Sequence, residues 1–201
     1  PKATKGEKGI FHKDKIVCGV YRPFNKSWCY LDEMFIHRMG NFNFLFPHQS
    51  TKNFIICVSG LGGSKQNTVY ISQQIADLNL LDAGTQCFPL YYYEKKSIYH
   101  PTLFDGDDNA QFTRKDGITN FILEHCRESY GPRVTKEDIF YYVYGLLHSP
   151  GYRQAFAADL KKMLPHLPLV EKPADFWAFS KAGRALADLH LNYETQLACP
   201  E

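Results

Sequence analysis

Apolar positions along this chain change period near its middle, from short runs at strand spacing to longer stretches at helical spacing. Runs at residues 15–21, 27–31, 53–58, 68–71 and 86–93 are separated by Gly, Asn, Ser and Pro clusters, which predicts strands joined by turns. From residue 118 the spacing becomes three and four. Ile118, Phe121, Ile122 and His125 share one side of a segment closed by Gly131-Pro132, and Phe176, Phe179, Gly183, Leu186 and Leu189 do the same after Pro173.

Residues 135–168 carry the most specific pattern. Thr135 is placed to cap a helix, with Asp138 at the acidic position of a capping box, and Ile139, Phe140, Val143, Tyr144, Leu146 and Leu147 follow on one face. Ser149 and Pro150 restart the chain as N-cap and first-turn proline. Tyr152, Phe156, Leu160 and Leu164 then recur every four residues, with Arg153, Asp159, Lys161 and Lys162 on the wet side, so the second helix is expected to run until Pro165 and Pro168 stop it. The whole predicts an α+β fold: a β-rich N-terminal half with a mixed sheet over residues 1–116, and a helical half over residues 117–201 packed on it.

At 201 residues and 44% hydrophobic, the chain buries a core without staples. Cys18, Cys29, Cys57, Cys87, Cys126 and Cys199 form no CxxC pair, so a zinc ribbon is unsupported, and reduced thiols in a cytoplasmic protein are expected. No apolar run approaches the ~20 residues that span a bilayer, and the first residues lack the core of a signal peptide. Net charge is only +2, but residues 1–38 hold eight basic against four acidic residues among aromatics, which suits a phosphate-facing surface or a solvated basic tail.

Signals for autonomous chemistry are weak. The segment Ser59-Gly60-Leu61-Gly62-Gly63-Ser64-Lys65 lacks the P-loop spacing. Asp105, Asp107 and Asn109 alternate as in a calcium loop, but Ala110 and Asp116 stand where Gly and Glu belong. The eight histidines assemble no metal set; His148 and His190 suit caps or packing. Glu94 and Lys96 after a strand, with Asp77 or Asp82 upstream, form the rival reading of a Mg²⁺-dependent nuclease.

The segment Tyr21-Arg22-Pro23-Phe24-Asn25-Lys26-Ser27-Trp28-Cys29-Tyr30 resembles the Tyr-Arg-Pro-Phe-Asp/Asn-x-x-Trp-x-Tyr signature of the specificity region in Type ISP restriction-modification enzymes. Val58-Ser59-Gly60, Ile75-Ala76-Asp77-Leu78-Asn79 and Gln86-Cys87-Phe88-Pro89-Leu90-Tyr91 look like the same family's middle segment. Residues 144–153, 158–161, 165–168, 183–186 and 189–194 resemble its helical end, with His166 where family members often carry arginine. The likeness spans about residues 17–194. It implies a prokaryotic, cytoplasmic target-recognition domain without catalysis or cofactor of its own. Its partners would be double-stranded DNA and the upstream methyltransferase and helicase domains of one polypeptide. S-adenosylmethionine, ATP and Mg²⁺ would serve the nuclease, helicase-like ATPase and N6-adenine methyltransferase of that parent. A docking platform without base contact is a further alternative.

Candidate contact residues follow from donor chemistry and position. Arg22 has a guanidinium for a phosphate or a guanine edge, or it ties down the neighbouring backbone; Tyr21, Phe24 and Trp28 beside it are expected to be core anchors. Asn25 and Lys26 are expected to be exposed turn residues. Ser64, Lys65, Gln66 and Asn67 lie in a connection between strands and offer short donors and acceptors suited to base edges, or form a polar hairpin tip. Lys95 and Lys96 follow a strand and suit phosphates, as do Arg114, Lys115 and Arg133 with less support.

Overall fold

The computed structural model describes residues 2–6, 8–36, 40, 42–61, 67–82, 84–96 and 111–197. Strands β1 (Ile16–Arg22) and β2 (Asn25–Tyr30) form an antiparallel hairpin, and β5 (Ile75–Ala76) pairs parallel with the other edge of β1, giving a mixed sheet. A second, antiparallel sheet has the order β4-β3-β6, from β3 (Ile55–Val58), β4 (Val69–Ser72) and β6 (Gln86–Pro89). β7 (Tyr91–Lys95) and β8 (Phe112–Asp116) form a separate two-stranded ribbon, and the short helix α1 (Phe42–Leu45) precedes β3.

The apolar run over residues 86–93 is therefore two strands in two sheets, which its periodicity conceals. The chain changes sheets at Leu90, whose N–H donates to the Phe54 carbonyl at 2.8 Å and whose carbonyl accepts from Gly117 at 2.7 Å. Asn53, buried to 3% exposure, replaces the missing ladder. Its amide donates to the carbonyls of Leu45 and Tyr91 and its oxygen accepts from the N–H groups of Phe54 and Tyr91, so all four polar groups meet inside the protein. Gly117 must be glycine, because a Cβ there would stand 2.0 Å from the Pro89 carbonyl oxygen.

The helices are α2 (Asn120–Tyr130), α3 (Lys136–His148), α4 (Pro150–Ala155) and α5 (Pro173–Leu191). Thr135 and Asp138 close the expected capping box at the start of α3, and Ser149 caps α4 by accepting from the Tyr152 N–H. α4 does not continue to Leu164. It ends at Ala155, and residues 156–163 form turns whose hydrogen bonds are not consecutive. The four-residue spacing of Phe156, Leu160 and Leu164 survives because each still packs on the main core. Tertiary burial therefore accounts for a period that resembles helix propagation. The segment after it has no regular structure, and three tyrosine hydroxyls satisfy its carbonyls: Tyr152 donates to His166, Tyr142 to Pro168 and Tyr130 to Val170, at 2.6, 2.6 and 2.7 Å.

The buried side of α2 carries Cys126 and Tyr130, while Phe121 and His125, expected on that side, are exposed. α3 is buried almost all round, as suits the central helix of the half. Its Gly145 meets Gly183 of α5 at the crossing, where a Cβ on Gly183 would lie 2.0 Å from the Tyr141 carbonyl oxygen and one on Gly145 2.3 Å from that of Phe179. The main core joins Ile56, Val58, Val69, Ile71 and Leu90 to the helices, so it crosses the expected boundary at residue 116. A second core beneath β3 gathers Val20, Phe46, Ile55, Cys57, Tyr70 and Leu80.

Two histidines sit where the sheets meet the helices. His148 Nδ1 lies 3.0 Å from the Tyr144 carbonyl, and His190 Nδ1 shares a hydrogen bond with the Tyr144 hydroxyl at 2.5 Å. Burial holds both imidazoles below their ordinary value, and for His148 the nearby Arg153 adds to the effect. Between the lowered folded value and the ordinary one the unfolded chain binds more protons, so the stability they contribute is present above about pH 6.5 and is lost as pH falls below it. Melting temperature should drop between about pH 7.5 and pH 5.5, with a smaller drop in His190→Gln; a flat profile in the parent chain would remove the argument.

Candidate nucleic-acid interface

The β1–β2 hairpin turns through Pro23 and Phe24, and Phe24 adopts a left-handed φ of 58° that an aromatic residue rarely takes. Packing holds it there: its ring meets Tyr70, His190 and Tyr193 edge-on at 5.3–5.4 Å. The hairpin tip is thereby clipped to the end of α5. Its other aromatics are not core anchors. Tyr21, at the bulge between Val20 and Arg22, is 51% exposed, and Trp28, on the outer strand β2, is 75% exposed.

Arg22 lies over the Tyr21 ring at 4.1 Å, donates to the Tyr21 carbonyl at 2.7 Å and reaches Asp77 at 3.3 Å. Asn25 is exposed opposite it at the start of β2. Lys26 is also in β2 but is not a free turn residue: its ammonium pairs with Glu194 and lies 5.2 Å from the Tyr193 ring centroid. The Glu194 carboxylate raises the Lys26 pKa, and Glu194 is lowered in return. Lys2 and Lys15 are likewise paired, with Glu33 and Asp32. Four of the eight basic residues at positions 1–38 are thus held by carboxylates, and Asp77 and Glu194, which lie outside that segment, offset half of its excess of four.

Ser64, Lys65 and Gln66 lie outside the described residues. Asn67 is half-buried just ahead of β4. The base of that connection is closed by Ser59, whose N–H donates to the Thr68 carbonyl and whose Oγ accepts from the Thr68 N–H, both at 3.0 Å. Gly60 N–H adds a bond to the Asp82 carbonyl at 2.9 Å.

The ribbon brings together cations from two distant parts of the chain. Lys95 pairs with Phe112, Tyr93 with Arg114 and Tyr92 with Lys115, and Lys96 N–H donates to the Gln111 carbonyl at 2.9 Å. Lys95, Lys96, Arg114 and Lys115 are all exposed. Arg114 lies 4.4 Å over the Tyr91 ring, and the acid at the ribbon's base, Asp116, is engaged by Lys136 at 2.6 Å. Among the described residues, none of Lys95, Lys96 and Lys115 has an ion-pair partner. Arg133 is exposed just after α2.

This clustering was not readable from sequence, because Gln111-Phe112-Thr113-Arg114-Lys115 has too few apolar residues to announce a strand. The partner run Tyr91-Tyr92-Tyr93 was the available clue, since a strand so rich in tyrosine needs a neighbour. Tyr92 stacks on Phe44 of α1 at 5.0 Å and His48 meets Phe112 edge-on at 5.5 Å, so residues 42–51 brace both strands of the ribbon.

The nuclease reading finds less support. Asp77 already serves Arg22 and the Asn79 N–H, and among the described residues no three His, Cys, Asp or Glu side chains are grouped to hold a metal ion. No described helix is long and apolar enough to cross a membrane.

The description Type ISP C-terminal specificity domain matches residues 1–201. The chain belongs to the Type ISP C-terminal specificity domain family. No curated protein matches it. Among solved structures, this specificity domain is similar to the ATP-dependent Type ISP restriction-modification enzyme LlaBIII bound to DNA, with 32% identity and a TM-score of 0.80 over 98% of this chain and 12% of that one. A nuclease-deletion mutant of the Type ISP enzyme LlaGI in complex with a DNA substrate mimic gives 33% and 0.74, over 99% and 16%. The DrdV–DNA complex gives 28% and 0.82, over 98% and 18%. The specificity domain thus spans less than a fifth of each of these chains. The exposed hairpin with Arg22, Tyr21 and Trp28 carries the segment that resembles the family signature.

Proposed function

We propose that this specificity domain recognises a target sequence in double-stranded DNA and positions the duplex for the methyltransferase, helicase and nuclease activities of a restriction-modification enzyme. It acts by holding, without catalysis of its own; S-adenosylmethionine, ATP and Mg²⁺ would be used by other domains of such an enzyme. Three structural relatives were solved with DNA or a DNA mimic, and this supports the partner. The observation that carries the reading in this chain is the ribbon, which presents the exposed Lys95, Lys96, Arg114 and Lys115 along its two faces.

The roles divide by chemistry. Lys95 and Lys96 would hold phosphates, adding affinity and orientation but no sequence information. Asn25, Ser64, Lys65, Gln66 and Asn67 would read base edges, each good bidentate contact discriminating by ~1–3 kcal/mol. Arg22 would reach DNA only by exchanging Asp77 for a phosphate or guanine, and Lys26 only by releasing Glu194. Titrating salt from about 50 mM to 200 mM against binding of a short duplex should lower affinity steeply, with a log–log slope of ~0.9 for each phosphate neutralised. An affinity indifferent to ionic strength would defeat the proposal.

A further inference from the structure

Cys57 and Cys87 stand directly opposite each other on β3 and β6, with their Sγ atoms 3.7 Å apart. The kind of position follows from the ladder. Leu90 N–H donates to the Phe54 carbonyl, which makes Phe54 and Leu90 a hydrogen-bonded pair. Such pairs alternate along an antiparallel ladder, so Ile55 and Pro89 form a non-hydrogen-bonded pair, Ile56 and Phe88 a bonded one, and Cys57 and Cys87 a non-bonded one. Pro89 is an independent check, because a residue without N–H loses nothing at a non-bonded position. Non-bonded pairs hold their Cα atoms about 4.5 Å apart, inside the ~4.4–6.8 Å that a disulfide spans.

The two thiols differ in access. Cys57 is fully buried, whereas Cys87 is half-buried and lines a cleft of about 620 Å³ that is also bordered by Tyr21, Trp28, Leu31 and Leu45. A small polar oxidant in that cleft meets Cys87 first. The hydrogen bond between the thiols works in the same sense: it lowers the Cys87 thiol and raises Cys57, so Cys87 is the sulfur that ionises with its neighbour donating to it. Neither the DNA-binding reading nor the packing of the core requires two opposed sulfurs here.

We propose that Cys57 and Cys87 form a dithiol modification site for hydroperoxides, with Cys87 as the attacking thiolate and Cys57 as the resolving thiol. The Cys87 sulfur attacks one peroxide oxygen, the O–O bond breaks, and Cys87 becomes a sulfenic acid while hydroxide leaves and is protonated. The Cys57 sulfur then attacks the Cys87 sulfur, the S–O bond breaks, and water departs as the S–S bond forms. Two thiols are oxidised and one hydrogen peroxide is reduced to two waters. The product ties β3, which leads into the residue 60–67 connection, to β6, and a thiol reductant reverses it.

The test exposes the 201-residue chain to hydrogen peroxide, blocks remaining thiols with an alkylating agent and maps the peptides by mass spectrometry. The expected product is a Cys57–Cys87 cross-linked peptide pair, lighter by two hydrogen masses, restored by reductant and accompanied by a higher melting temperature. Cys57→Ala should stop at a Cys87 sulfenic acid that dimedone traps, and Cys87→Ala should leave Cys57 unoxidised. The exposed Cys29 is an internal comparison for general thiol damage. Oxidation of Cys29 with both Cys57 and Cys87 still alkylatable would overturn the proposal. So would cross-links that join other cysteines. The wild-type map decides the matter even if a variant fails to fold.

Discussion

Alanine in place of Gly183 is expected to destabilise the domain by roughly 3 kcal/mol or more, the upper end of what overpacking costs. The added carbon would sit 2.0 Å from the Tyr141 carbonyl oxygen and 2.7 Å from the Gly145 nitrogen, and both obstacles are helix backbone that cannot rotate aside. α3 and α5 would have to move apart. That separation would also loosen Phe176 from its stacks on Tyr130 and Tyr142 and weaken the Ser180 hydroxyl's bond to the Asp138 carbonyl, now 2.9 Å. Gly145→Ala should cost a similar amount, and the double variant should fall short of the sum, since either substitution alone forces the same gap. Urea unfolding of the three variants measures this; a Gly183→Ala chain with an unchanged midpoint would show the crossing to be wider than described.

Reversing three ribbon charges together, Lys95→Glu, Lys96→Glu and Lys115→Glu, should weaken duplex binding by about a hundredfold or more at low salt. The estimate takes about 1 kcal/mol for each lost phosphate contact and adds repulsion between the new carboxylates and the backbone. Because these side chains are exposed and none has an ion-pair partner among the described residues, the melting temperature should hold, and the binding loss is then not a folding loss. The salt slope should flatten by two to three phosphate equivalents, at ~0.9 each, while preference among sequences persists. Equal affinity in parent and variant would move the DNA-facing surface elsewhere on the domain.

The parts of this fold readable beforehand were those where local chemistry and tertiary role agree. Thr135 with Asp138 and Ser149 with Pro150 mark helix starts through bonds made within the first turn, and the structure keeps both, with Asp138 also held by Arg184 at 3.2 Å. The run at residues 86–93 misled because a change of sheet at Leu90 depends on Asn53 and Gly117, far away in sequence, and leaves no trace in alternation. The stretch after Ala155 misled for the opposite reason, since its apolar spacing reports contacts with a core and not an unbroken helix. At the candidate interface, charge was legible but pairing was not. Lys26 and Lys95 look alike in sequence, yet one is committed to Glu194 and the other projects from a strand end. Trp28 and Tyr21 look interior by hydrophobicity alone, whereas one lies on the outer strand β2 and the other at the bulge of β1.

The paired bonds between Ser59 and Thr68 have an evolutionary corollary. They tie off the connection at its neck, so residues beyond the neck can lengthen or be exchanged while β3 and β4 keep their register. Doubling the length of such a tied segment adds only ~0.6 kcal/mol of closure entropy. Under the proposed role of this connection in reading base edges, such a scaffold would let lineages drift toward new target sites through changes beyond the neck, with the hydrophobic interior left under no obligation to follow.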